Sequence, residues 1–234
     1  MALGGWQFQV MPAQINEDLL PAESPHVYVL RMAEHKARAV SNQVPPGSLV
    51  IGADTTVVSP QGDILAKPLD HQEALAMLGC LRGRTHEVLT ALTVISLGDG
   101  RVNQDVCVTE VEMRPYSEAE ILDYIATGDP FDKAGGYAIQ HQEFDPVQGI
   151  KGCYANVVGL PVCTLARLLE MFGIETPNKL RILSSNFEYE GCPICMELTN
   201  NHRWNPKNKE TYEKKYMADL DPAGFHQWMP IWWG

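Results

Sequence analysis

An acid set inside an apolar strand is the residue of this chain that most invites chemistry. Asp54 stands in the run Gly52-Ala53-Asp54-Thr55-Thr56-Val57-Val58, with hydroxyls directly after it. An isolated buried carboxylate is costly, so such a group is usually paired or put to use. Two uses suit it: a general base that takes a proton from water, or a ligand for a divalent ion that helps generate hydroxide. A purely structural use, capping or salt-bridging at a strand end, is the alternative that the local sequence leaves open. The same half of the chain carries Lys36, Lys67, Arg84 and Lys133. One acid among several cations suits a polyphosphate, because phosphoryl chemistry is mostly positioning and charge neutralisation.

Each candidate has a plainer reading beside the chemical one. Singly, every lysine reads as a solvated surface residue. Lys67 precedes Pro68, and Lys133 precedes Ala134-Gly135-Gly136; small residues let backbone amides approach phosphate oxygens. Arg84 can grip a phosphate bidentately, whereas His86 reads as structural. Gln140 offers both a donor and an acceptor to a base edge, or equally satisfies backbone groups as a buried amide. No G-x-x-x-x-G-K-[ST], G-x-G-x-x-G or G-x-S-x-G occurs, which argues against the common ATPase, dinucleotide-binding and serine-hydrolase plans.

The elements that would position these residues can be read from caps and periodicity. Residues 6–11 (WQFQVM) suggest a strand. Ser24-Pro25 opens a helix that runs to about Val40 and carries Arg31 and Lys36. Residues 48–58 are apolar enough for a strand covered on both faces. A turn at Gln61-Gly62-Asp63 leads into the short extended piece ILAKP. Asp70 with Glu73 three residues on predicts a capped helix ending near Leu81. Residues 85–97 read as a long strand, Gly98-Asp99-Gly100 as a hairpin turn, and 101–113 as the antiparallel partner. Ser117 with Glu120 caps a helix over 118–127, stopped by Gly128-Asp129-Pro130. Val162 to Phe172 is an amphipathic helix closed by Gly173.

The 234 residues allow one large domain or one domain plus an appendage. No stretch approaches about 18 uninterrupted apolar residues, so a membrane span is not expected, and no secretory signal is visible. A net charge of −11 argues against binding a nucleic-acid polymer but permits a local basic pocket for a nucleotide. Of the six cysteines, four lack disulfide-like spacing and read as reduced thiols of a cytoplasmic protein.

Several islands, in order, resemble the Maf family of nucleoside triphosphate pyrophosphatases: INE at 15–17, the helix at 23–37, GADTTVV, LAKP, LRGRTHEVLTALTV, DPFDKAGGYAIQ and GIKGCYANVVGLPV at 149–162. The similarity runs from about Gly5 to Ile174. It implies an α/β fold: an elongated mixed sheet, partly antiparallel and flanked by helices, with two lobes and a cleft. It implies hydrolysis of a nucleoside triphosphate to the monophosphate and pyrophosphate with Mg²⁺ or Mn²⁺. On this resemblance Asp54 is the base, Glu17 assists water or metal together with Asp54, and Lys36 and Lys67 hold phosphates. Thr55, Arg84, Lys133 and Gln140 contact substrate. Thr55, Gln140 and the GRTHEV stretch fit the dTTP/UTP subgroup better than the 7-methyl-GTP one. A homodimer is also in keeping with the family.

Two departures qualify the resemblance. Family members begin with a strand and an S-x-S-P-R-R loop, and this sequence holds no such motif. Its chain starts roughly where the following helix would end, so residues 1–176 are expected to be an N-terminally truncated domain. Loss of an important donor costs on the order of 10²–10³ in rate, which predicts impaired catalysis. The alternatives are a nucleotide-binding protein without catalysis, or an interaction protein. The second departure is an irregular extension over 177–234 with Cys192-Pro-Ile-Cys195 and four tryptophans. CPICMEL resembles the start of a RING finger, but a structural zinc needs four ligands and the later His202 and His226 fit no zinc module, so no metal is expected there.

Overall fold

A computed structural model describes residues 6–175. The boundary near 176 and the Cys192/Cys195 pair lie outside the described residues. Within them one antiparallel sheet organises everything: β1 (Leu49–Val58), β2 (Ile64–Leu65), β3 (Thr85–Ser96), β4 (Val102–Met113) and β5 (Val147–Lys151), in spatial order β2-β1-β3-β4-β5. Every pairing among the described residues is antiparallel. β3 lies at the centre, and from Val88 to Ser96 it is continuously buried, as expected of a strand covered on both faces.

The helices start where side chains can satisfy their first amides. Ser24 accepts from Val27 N–H to open α1 (Pro25–Ser41). Asp70 accepts from Glu73 N–H to open α2 (His71–Leu81). Glu73 returns its carboxylate to Leu69 N–H rather than to the cap residue, so only half of the expected box forms. The box is complete at α3 (Glu118–Ala126), where Ser117 and Glu120 bond reciprocally. Two short 3-10 turns, a one-turn α4 (Tyr154–Val157) and α5 (Val162–Glu170) finish the fold.

The apolar interior divides along the sheet. One part gathers α2, α3 and the glycine-rich loop around Val57, Val88, Val111 and Tyr124. The other part lies on both faces of β1 and the second half of β3, under α1 on one side and α5 on the other. Residues 6–11 are not a strand. Trp6 and Met11 rest on the core, but the backbone forms no ladder, and alternation without a partner does not make a strand. β5 is a strand the patterning missed. It is short, contains Gly149, and exists through its pairing with β4, with a bulge between Glu112 and Met113.

Candidate active site

Strand alternation gives Asp54 to the α1 face of β1, together with Gly52 and Thr56. Gly52 is where the helix comes down. A Cβ there would strike the Ala33 carbonyl oxygen and lie 2.8 Å from the Ala37 nitrogen. This close approach sets Lys36 over Asp54, Nζ to Oδ1 at 2.8 Å. The same Nζ meets Glu17 Oε1 at 2.9 Å. Glu17 arrives on the segment before α1, which is fastened to the helix twice. The Tyr28 hydroxyl donates to the Glu17 carbonyl at 3.0 Å, and Arg31 Nη2 donates to the Asp18 carbonyl at 2.9 Å. Thr56 Oγ1 donates at 3.4 Å to the second Asp54 oxygen.

Burial pushes the Asp54 carboxyl above its ordinary value, and Lys36 pulls it back by less. Burial also works against the charge of Lys36, but Asp54 and Glu17 outweigh it and hold the ammonium above the usual lysine range. Together the two shifts keep a proton on the lysine and leave the carboxylate ready to accept one, the poise a general base needs. Tyr28 is pushed to about 12, first by burial and then by Asp54 and Glu17, so it remains a phenol. Among the described residues no cluster of three or more His, Cys, Asp or Glu could hold a metal unaided. Two carboxylates completed by substrate phosphate oxygens are nevertheless a donor set that Mg²⁺ uses, and Glu17 and Asp54 fit it.

Thr55, next in sequence, points to the opposite face. Its Oγ1 lies 2.9 Å from Thr90 Oγ1, which itself donates to the Asn156 carbonyl at 3.0 Å, so Thr55 is the donor to Thr90. Thr55 lines a narrow recess with Lys133, Ala138 and Gln140. Gln140 Nε2 is buried there without a hydrogen-bond partner. An unmade donor in a recess is what an incoming acceptor would satisfy.

The remaining candidates separate. Lys67 follows the end of β2 by two residues, and no ion pair engages it among the described residues. Lys133 is 6% exposed, and its ammonium is taken by the Asp129 carbonyl (2.9 Å), the Asp129 carboxylate (3.0 Å) and Asp132 (2.5 Å). Arg84 is exposed just before β3. Since Asp54 pairs with Ala91, Arg84 stands about 20 Å away along the strand. His86 is structural, as its context suggested: it is buried against the Tyr137 hydroxyl at 2.8 Å, and burial pushes it down to about 4.

Sequence reasoning did not single out Gly52, Tyr28 or Thr56. The signals were present. Gly52 and Thr56 flank Asp54 at the strand period of two, and Tyr28 lies about two helical turns before Lys36. None of the four described cysteines forms a disulfide, and Cys153 is buried. No helix of the described residues is long and apolar enough to cross a membrane.

Comparison with known proteins agrees with this geometry. The family described as "Maf-like protein" matches residues 1–172. A protein of Dehalococcoides mccartyi named dTTP/UTP pyrophosphatase is 41% identical over 192 residues, covering 82% of this chain and 83% of its own. Proteins of the same name from Citrifermentans bemidjiense and Anaeromyxobacter dehalogenans are 44% and 45% identical, over 72% and 74% of this chain and 86% and 87% of theirs.

Proposed function

We propose, since this chain belongs to the Maf family, that it is a nucleoside triphosphate pyrophosphatase that takes dTTP and UTP. The observation that carries the reading is the Glu17–Lys36–Asp54 group: a buried carboxylate of raised pKa, bonded to a cation that also holds a second acid. Asp54 takes a proton from a water molecule as its oxygen bonds to the α-phosphorus. The bond from that phosphorus to the oxygen bridging the α- and β-phosphates breaks, and pyrophosphate leaves with the electron pair. Lys36 and Lys67 offset the charge that builds on the phosphate oxygens. A divalent cation, Mg²⁺ or Mn²⁺, would be held by Glu17 and Asp54 and would supply further charge neutralisation.

Asp54 and Thr55 face opposite sides of β1, so the substrate lies across the strand's edge at residues 54–56. Its phosphates would sit on the Lys36 side and a carbonyl of its base at the mouth of the recess of Thr55 and Gln140, whose volume of about 20 Å³ admits no more. The orphaned Gln140 amide would donate to a pyrimidine carbonyl. Arg84 and Lys133 play no direct part in this arrangement, the first by distance and the second because its charge is already held.

The test is pyrophosphate release from dTTP and UTP with Mg²⁺ or Mn²⁺, comparing the chain with Asp54→Asn. The expected loss is about 10²–10⁴-fold in kcat, the usual worth of a general base. A variant retaining its rate within about threefold would place the base elsewhere.

A further inference from the structure

The hydroxyl of Thr55 has its polarity set from behind. Strand register places Thr55 directly opposite Thr90 of β3. Their hydroxyl oxygens lie 2.9 Å apart, and Thr90 Oγ1 is also 3.0 Å from the Asn156 carbonyl. A carbonyl only accepts and a hydroxyl has one proton, so the Thr90 proton goes to Asn156. Thr55 must then give its own proton to Thr90, and what it turns outward is lone pairs alone. Thr90 is fully buried, away from the bulk water that could offer it another arrangement.

The Asn156 carbonyl is itself held in place. The Asn156 side chain, also fully buried, donates from Nδ2 to the Val88 carbonyl at 2.9 Å and to Thr109 Oγ1 at 2.8 Å. These bonds fasten α4 to β3 and β4, and with it the acceptor that decides the direction of the relay. Beside Thr55 stands Gly159. A Cβ there would lie 3.4 Å from Thr55 Oγ1, so the glycine leaves that side of the hydroxyl uncovered. Thr55 is half-buried, within reach of a ligand.

A pyrimidine can offer Thr55 two patterns. Uracil and thymine carry an imide N–H beside carbonyls, whereas cytosine carries a bare ring nitrogen beside an amino group. An outward lone pair accepts from the first and opposes the second. Gln140, which lines the same recess, does not decide between them, because an amide carries both a donor and an acceptor and can turn end for end. Thr55 has no such freedom while Thr90 takes its proton.

We propose that Thr90 is a positioning residue for base selection. By holding Thr55 as a pure acceptor, it directs the site to bases with an imide N–H and against cytosine. This rests on the nucleotide reading above and deepens it, naming a buried residue behind the recess that sets the preference.

The experiment uses the full chain. It measures kcat/KM for UTP and CTP with Mg²⁺, and equilibrium binding of their α,β-methylene analogues, which cannot be cleaved between those phosphates. The parent should favour the uracil nucleotide about tenfold or more in both, the worth of one mispaired buried polar group. Thr90→Val keeps the shape, removes the acceptor and frees the Thr55 proton, so the UTP-to-CTP ratio should fall about tenfold. Thr90→Ser keeps the hydroxyl and should preserve the ratio. A merely structural role would lower both nucleotides together and leave the ratio unmoved. Equal handling of UTP and CTP by the parent, or an unchanged ratio in Thr90→Val, overturns the proposal. Where Thr90→Val does not fold, Thr90→Cys, whose thiol is a weak acceptor, is judged by the same criterion. Selective binding of the uracil analogue without pyrophosphate release from UTP would sink the hydrolytic reading and support this one. Binding of neither analogue would overturn both.

Discussion

Lys36 and Lys133 each meet two carboxylates within hydrogen-bond distance, but the two clusters are assembled differently. Lys133 finds its partners four residues and one residue away, plus a backbone carbonyl, and so ties a loop to itself. Asp132 is 61% exposed in its side chain, so one of those charges is largely solvated. Lys36 instead gathers an acid from 18 residues downstream and another from the segment before its helix. One of these, Asp54, is buried in the sheet, and burial raises its pKa. A local cluster closes a turn and is satisfied by doing so. A cluster drawn from three separate elements holds a carboxylate in a state that ordinary surface solvation would not permit. That difference separates a structural cation from one that can serve a reaction.

The largest way to break the contrast touches no charge. Gly52→Val drives a side chain into the Ala33 carbonyl and the Ala37 amide, so α1 must lift away from β1 and take Lys36 with it. The expected cost is about 3 kcal/mol or more, at the upper end of overpacking effects. Urea unfolding would register it, and activity would fall even in the fraction that stays folded. Gly79 is a fair comparison, since a Cβ there meets nothing within 4 Å. Gly79→Ala should be neutral or stabilising by about 0.5–1 kcal/mol. Equal losses in the two variants would mean that the tight packing at Gly52 is not what positions Lys36.

Next in size is the direct exchange of the two lysines for a neutral side chain of similar length. Lys36→Met should lower kcat/KM for dTTP about 10²-fold or more, as expected for a lost phosphate-side donor. Its effect on stability should be small, because Asp54 can take up a proton once its cation is gone. Lys133→Met should do the reverse. It leaves Asp129 without its ammonium and should cost about 1.5–3 kcal/mol in urea unfolding, with a smaller effect on rate. Comparable activity losses would contradict the division of roles.

Much of this was legible before the fold was known, and the exceptions have physical causes. Ser24, Asp70 and Ser117 announced their helices because capping is local chemistry, readable from three or four residues. The buried, paired state of Asp54 was legible because a charge in an apolar strand has few explanations. The ion pairs of Lys133 were hidden, since its sequence context of small residues suits a phosphate loop, whereas its bonds to Asp129 and Asp132 depend on how the turn closes. The position of Arg84 was hidden for another reason. Sequence order says nothing about strand register, and register is what carries it down the sheet from Asp54. The failed strand at 6–11 makes the same point from the other side, because a pattern needs a partner.

The smallest and most discriminating effect lies in pH. If Asp54 is the base, kcat/KM falls as pH drops and its carboxylate is protonated. Because burial raises its pKa, that acid limb should lie above the range of an ordinary aspartate. Lys36 opposes the rise through charge and hydrogen bonding, so its removal leaves only the Thr56 hydrogen bond against burial and the Glu17 charge. The residual activity of Lys36→Met should therefore show its acid limb at higher pH than the parent. Lys133 faces Asp129 and Asp132 rather than Asp54, so Lys133→Met should leave the limb where it is. A limb that fails to move in Lys36→Met would show that some other group sets it. Movement in both variants would point to a general change of net charge rather than to the contact between Lys36 and Asp54.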